Sequence, residues 1–254
     1  VDRERGLISR ATAFVHSMLP PGLDLDINND GRVDNIIYFL RGTTSGWGEI
    51  LWPHQSALGS YVVTLGTKTV YNYNVNLESM ASLGILCHEF GHSLGAQDYY
   101  PYYTYRVPAG QWELMSNHQE PPQHFSSYLK WHYFGWIDDI PLISAPGLYS
   151  LDPLSSSASA YRIASPNPDE YFILEYRRQE GLYDTSLPGS GLLVWRVDST
   201  IYNGNELATT PELYAFRPDG TVDSDGNISQ APFSIEAGRI AFNNSTNPAC
   251  FLSD

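Results

Sequence analysis

His88 and His92 stand four residues apart with Glu89 between them, in the stretch His88-Glu89-Phe90-Gly91-His92. Residues four apart on a helix share one face, so the two imidazoles can meet a single metal ion while Glu89 lies within reach of a water held there. Zinc suits such donors: it accepts neutral imidazole nitrogen, keeps an open position in catalytic sites and brings the pKa of a bound water to about 7. Glu89 would then act as general base on that water and return the proton to a leaving amine. The bare five-residue pattern arises by chance about once in a hundred chains of this composition. Gly95 and Asp98 extend it to H-E-x-x-H-x-x-G-x-x-D, and requiring both lowers the chance below roughly one in ten thousand. A glycine at 95 can take the left-handed conformation that turns the chain off the helix and swings the next donor back. Asp98 is the candidate third ligand.

These residues need a helix beneath them. The pattern predicts one that begins at Leu77 behind Asn76 as N-cap, carries Glu78 in its first turn and ends near Gly95. Upstream, apolar residues at 8, 11, 14, 15 and 18 have helical spacing and stop before Pro20-Pro21-Gly22. Residues 36–40, 61–65 and 69–75 read as strands. Residues 99–123 are rich in Tyr, Pro and Gly and read as irregular, with Gln111 to Ser116 as a tight segment inside. A helix is expected over 125–134, entered after Pro121-Pro122 and stopped by Gly135. Beyond Pro141 the segments 148–151, 160–164, 170–177 and 191–198 are short, β-rich and separated by turn residues, which predicts an antiparallel sheet or sandwich. A domain boundary is expected near residue 140.

Other residues carry weaker signals. Asp26, Asn28, Asp30, Gly31, Arg32 and Asp34 copy the opening of an EF-hand, with oxygen donors at alternate positions, a glycine at the sharp turn and then the backbone carbonyl of Arg32. The twelfth position is Ile37, where an EF-hand needs a bidentate Glu, so a true EF-hand is excluded. A shorter calcium loop is the expectation; the alternative is an Asx-rich turn whose side chains cap their own backbone. The looser acidic loop Asp219, Asp223, Asp225 and Asn227 reads as an ordinary turn. Of the histidines outside the motif, His54, His118, His124 and His132, the first and second are the better candidates for a substrate cleft. Tyr99 or Tyr100, just past Asp98, could line that cleft or stabilise an oxyanion, and the spacing does not choose between them.

Composition narrows the partners. The chain has 28 Asp+Glu against 14 Lys+Arg, a formal net charge of -14. Such a surface repels phosphate backbones and anionic lipid, which argues against nucleic acid as a partner. No stretch approaches the 18 or more apolar residues a membrane-spanning helix needs. The 18 Tyr, 10 Phe and 6 Trp argue for a folded chain. Cys87 and Cys250 are too few for a disulfide scaffold and either pair or stay reduced.

The extended motif, the downstream Glu113-Leu114-Met115-Ser116 and a following helix that ends in Phe134-Gly135-Trp136 resemble the metzincin clan of zinc peptidases, and specifically the immune inhibitor A-like metallopeptidases. Residues 26–34, Trp52-Pro53-His54, His124-Phe125-Ser126 and the stretch 187–195 fit the same resemblance, which spans most of residues 24–198. It implies His88, His92 and Asp98 as zinc ligands, Glu89 as general base and Met115 as a Met-turn residue beneath the metal. Two departures stand out: Ala96-Gln97 replaces the Leu-Pro of many relatives, and the resemblance implies further strands upstream of the point corresponding to Val1, so the expectation is either a trimmed form or a cleft built differently. After Trp195 the resemblance fades and gives residues 200–254 no role.

The combined expectation is an α+β protein. A metzincin-like catalytic domain over 1–140 is followed by a β-sandwich-like domain over 141–254. The expected activity is that of a secreted, or otherwise extracytoplasmic, zinc endopeptidase acting on proteins or peptides, with calcium as a second ion. The rival reading is a non-catalytic, calcium-stabilised adhesion module that retains a peptidase fold.

Overall fold

The computed structural model describes residues 2–42, 52–206 and 211–253; Val1, on which the expectation of trimming turns, lies outside them. By packing, the chain divides into two compact units, Val1–Ser93 and Leu94–Asp254. Helices are few and several small sheets are present, an α+β composition. None of the described helices is long and apolar enough to cross a membrane.

The first unit contains α1 (Asp2–His16), β1 (Ile37–Leu40), β2 (His54–Ala57), β3 (Val63–Leu65), β4 (Lys68–Val70), β5 (Asn72–Leu77) and α2 (Leu83–Ser93). β5 is the central strand of a sheet ordered β1-β5-β2, parallel to β1 and antiparallel to β2. Alternate side chains of a strand point to opposite faces, and β5 uses both. Tyr73 and Val75 join Ile8, Val33, Leu58, Leu65 and Val70 in the core. On the opposite face Asn74 turns toward α2, donating from Nδ2 to the Glu89 carbonyl at 2.6 Å and accepting from the Ser93 hydroxyl at 2.9 Å. One strand amide thus grips two successive turns of the helix. β3 and β4 form a separate hairpin with Gly66 at φ +59° in its turn.

α2 begins later than its sequence pattern suggests. Residues 76 and 77 belong to β5, and Asn76 is a wholly buried strand residue instead of an N-cap. The helix starts behind Ser82, whose hydroxyl accepts from Ile85 N at 3.3 Å and whose carbonyl accepts from Leu86 N at 3.0 Å. The reason is alternation: Tyr73, Val75 and Leu77 keep a period of two that extends the strand through Leu77, so the helix cannot start there.

The second unit holds α3 (Ser127–His132), β6 (Ala160–Ala164), β7 (Glu170–Arg177), β8 (Gly191–Asp198) and β9 (Leu213–Ala215), with 3-10 turns at Gly110–Trp112 and Ile228–Gln230. β6 to β9 pair in sequence order as one antiparallel sheet. Residues 148–151 belong to no strand, and β9 had no counterpart in the sequence pattern. The apolar face of the sheet, Phe172, Val194 and Tyr214, is covered by Phe216, Phe233, Phe242 and Phe251 from irregular segments. Large aromatic side chains supply here the area that the second sheet of a sandwich would otherwise bury. α3 is shorter than the expected 125–134 and is capped by Ser126, whose hydroxyl accepts from Leu129 N at 3.3 Å.

Candidate metal centre

α2 carries His88 and His92 one turn apart, their ring centroids 5.0 Å from each other and nearly perpendicular. Gly95 follows the helix with φ +101°, a conformation L side chains rarely adopt, and the chain turns there as its sequence position suggests. Asp98 comes next, buried. One donor atom from each of His88, His92 and Asp98 lies within 4.8 Å of the others, and among the described residues this is the group of His, Cys, Asp and Glu side chains able to hold a metal ion. Two imidazole nitrogens and a carboxylate oxygen are the donor chemistry zinc prefers, and three protein ligands are what a catalytic zinc site keeps. Glu89 is buried on the same helix.

Asp98 is also held from its own side. The Tyr102 hydroxyl donates to Asp98 Oδ2 at 2.5 Å, and burial followed by this carboxylate pushes the phenol pKa well up, so Tyr102 stays a donor. Tyr99, offered as a cleft residue, is instead wholly buried with its hydroxyl on Glu212 at 2.8 Å; Tyr100 is partly exposed. Tyr102 had no distinguishing signal beyond its place four residues after Asp98.

Met115 is fully buried in the turn after the 3-10 helix. Its carbonyl accepts from Tyr99 N at 2.8 Å, which ties this turn to the residue after Asp98. Glu113 builds the turn: one carboxylate oxygen accepts from Met115 N at 3.1 Å and the other from Ser126 N at 2.8 Å. Complete burial raises its pKa, partly offset by those donors. Below it Arg177, wholly buried, donates to the carbonyls of Trp112 at 2.9 Å and His124 at 3.2 Å, and forks onto Asp184. Asn74, Glu113 and Arg177 were invisible as site residues because nothing in a lone Asn, Glu or Arg announces a backbone partner far along the chain.

The remaining candidates scatter. His54 lies on β2 with Nε2 3.0 Å from Glu4 Oε1 and Nδ1 2.7 Å from the Trp52 carbonyl. Glu4 also accepts from the Tyr73 hydroxyl at 2.5 Å, so His54 belongs to a buried polar cluster. His118 is exposed and His132 stacks on Tyr128. In the 26–34 loop Asp26 accepts from Asp30 N and Gly31 N, both at 2.9 Å, Asn28 from Asp30 N, Asp30 from Arg32 N and Asp34 from Ile27 N. Lys68 Nζ sits 2.6 Å from Asp26 Oδ2 and lowers its pKa. This is the geometry of an Asx-rich turn with an ammonium already on its most buried carboxylate. In the second acidic loop Asp225 receives Arg106 Nε and Val107 N, each at 3.1 Å, and Asp219 pairs with Asn247, contacts to residues far along the chain.

Residues 37–120 match the sequence profile of the immune inhibitor A peptidase M6 catalytic domain. The chain is 29% identical over 127 residues to the pre-pro-metalloprotease PrtV of Vibrio cholerae serotype O1, from strain M66-2 and equally from strain ATCC 39315 / El Tor Inaba N16961. That alignment covers 40% of this chain and only 14% of the relatives' length. The stretch similar to that family contains β1, the central strand, the His88/His92 helix, Asp98 and Met115.

Proposed function

We propose that the chain is a zinc-dependent endopeptidase acting on protein or peptide substrates outside the cytoplasm, with a metzincin-like catalytic region through about residue 140. The observation that carries this is the convergence of His88, His92 and Asp98 within 4.8 Å. Zinc, when bound, supplies Lewis acidity for the scissile carbonyl and acidifies a water to near neutral pH. The chain's own residues do the rest. Asn74 holds the Glu89 and Ser93 turns of α2 against the central strand, which steadies the helix that carries the two imidazoles one turn apart. Glu89, adjacent to the first ligand, is the group that takes the proton of the attacking water and delivers it to the leaving amine. Met115 is the proposed Met-turn residue, packed in a turn that Glu113 fixes. The secretion of this chain is read from the pre-pro form that the names of its relatives record.

Calcium in the 26–34 loop would have to displace Lys68 from Asp26. The proposal is therefore that calcium binds there only with that ion pair broken, and Lys68→Ala should tighten calcium binding in a titration followed by calorimetry. For the main reading, purified chain should hold one equivalent of zinc by elemental analysis and cleave casein in a chelator-sensitive way. Glu89→Ala should retain zinc and lose cleavage. Cleavage undiminished in Glu89→Ala would overturn the zinc endopeptidase reading, and a wild type with neither zinc nor cleavage would favour the non-catalytic binding module.

A further inference from the structure

Gly204, Asn205 and Glu212, to which the sequence pattern gives no role, grip the segment that carries Asp98. Asn205 N–H donates to the Asp98 carbonyl at 2.9 Å. Its side chain, wholly buried, donates from Nδ2 to the Tyr99 carbonyl at 3.2 Å and the Leu213 carbonyl at 2.7 Å, and Oδ1 accepts from Leu213 N at 3.0 Å. Gly204 has φ +62°, and a Cβ there would lie 2.1 Å from the Asp98 carbonyl oxygen, so only glycine lets the two strands of backbone approach this closely. Glu212, also wholly buried, fixes that glycine. Its Oε2 accepts from Gly204 N at 2.8 Å, while Oε1 takes the hydroxyls of Tyr99 at 2.8 Å, Tyr128 at 2.7 Å and Tyr133 at 3.0 Å. With Met115 on the other partner of Tyr99, residues 98 and 99 are pinned by their backbone from two directions.

The need for this is physical. His88 and His92 are aimed by a helix, but Asp98 follows a left-handed glycine in irregular chain and has no regular element to aim it. We propose that Asn205, with Gly204 and Glu212, is a positioning residue for the third metal ligand: it holds the Asp98 backbone so that the carboxylate meets the two imidazoles. These residues lie beyond the matched 37–120 stretch. The inference rests on the zinc reading above, and the test separates the two.

The full-length 254-residue chain is loaded with zinc, its affinity is measured by competition with a chromophoric chelator, and the visible bands of the cobalt(II) form report ligand geometry without any activity assay. Asn205→Ala and Gly204→Ala should weaken zinc by about 10- to 100-fold, the range for loss of groups that orient a ligand, and shift the cobalt bands. Glu212→Gln, which keeps an acceptor for the three phenols, should weaken zinc by less. Thermal unfolding of the metal-free forms shows which variants fold; if Gly204→Ala does not, Asn205→Ala and Glu212→Gln decide. A wild type that binds no zinc, or a His88→Ala variant that binds as well as wild type, overturns the zinc reading itself. A wild type that binds through His88, beside folded Asn205→Ala with unchanged affinity and cobalt spectrum, overturns the positioning role alone, even if that variant melts earlier.

Discussion

Arg177 and Arg178 are neighbours in sequence with opposite environments, which makes them a controlled pair. Arg177 is wholly buried and donates five times: to Asp184 Oδ1 at 2.7 Å and Oδ2 at 3.3 Å, to Glu175 Oε1 at 3.3 Å and to the Trp112 and His124 carbonyls. Burial works against its charge, yet Asp184 and Glu175 more than offset that and leave its pKa raised. Among the described residues the Arg178 side chain pairs with Glu180, at 3.0 Å, and is 53% exposed. Arg177→Met strands two fully buried carboxylates and two carbonyls, and breaking a buried pair this way costs about 3–5 kcal/mol. Arg178→Met removes a surface pair worth about 1 kcal/mol or less. With a urea slope of about 3 kcal/mol per molar, the first change lowers the unfolding midpoint by about 1 M or more and the second by about 0.3 M or less. Urea titration followed by the fluorescence of buried Trp112 and Trp195 reads both. Equal midpoints for the two variants would refute the account of Arg177 as the charge that holds the Glu113–Met115 turn from below.

Three further outcomes follow from the same region and its approach. The His124 ring is held to a pKa of about 4 by burial and then by Lys130 and Arg177. The unfolded ring takes its proton near 6.5, so the unfolded chain binds more protons between those values and stability falls as pH drops from about 6.5 toward 4; His124→Gln should flatten that slope in midpoints measured at pH 7, 6 and 5. Burial, with Arg177 nearby, brings the Lys130 pKa down to about 8. At pH 7 its ammonium is a cost, so Lys130→Met should raise stability by about 1–2 kcal/mol, a gain that shrinks between pH 8 and about 10.5, where the unfolded lysine holds the proton that the folded one has lost. Gly95→Ala meets no steric clash but must adopt φ +101°; it should cost about 1–2 kcal/mol and weaken zinc binding, measured by chelator competition.

The sequence by itself determined the chemistry of the centre, because that chemistry is local. The four-residue spacing of His88 and His92 is set by helix geometry, and the return of Asp98 is set by what a glycine at 95 permits, so the eleven residues from His88 to Asp98 hold the whole candidate donor set. Strands 160–164, 170–177 and 191–198 were legible for the same reason, each carrying its own β-rich period between turn residues. The start of α2 was misread at Asn76 because a good capping residue is also tolerated as a buried strand residue once its alternating neighbours Tyr73, Val75 and Leu77 demand a strand. Only the tertiary structure decided what holds the centre in place. Asn74 on the helix, Glu113 on the Met115 turn and Asn205 on Asp98 each act on a backbone group, and a backbone N–H or carbonyl has no identity in sequence. Tyr99 was drawn inward by Glu212, 113 residues away, for the same reason. A buried carboxylate gathers whichever donors the fold brings to it, and which donors those are is settled by packing alone.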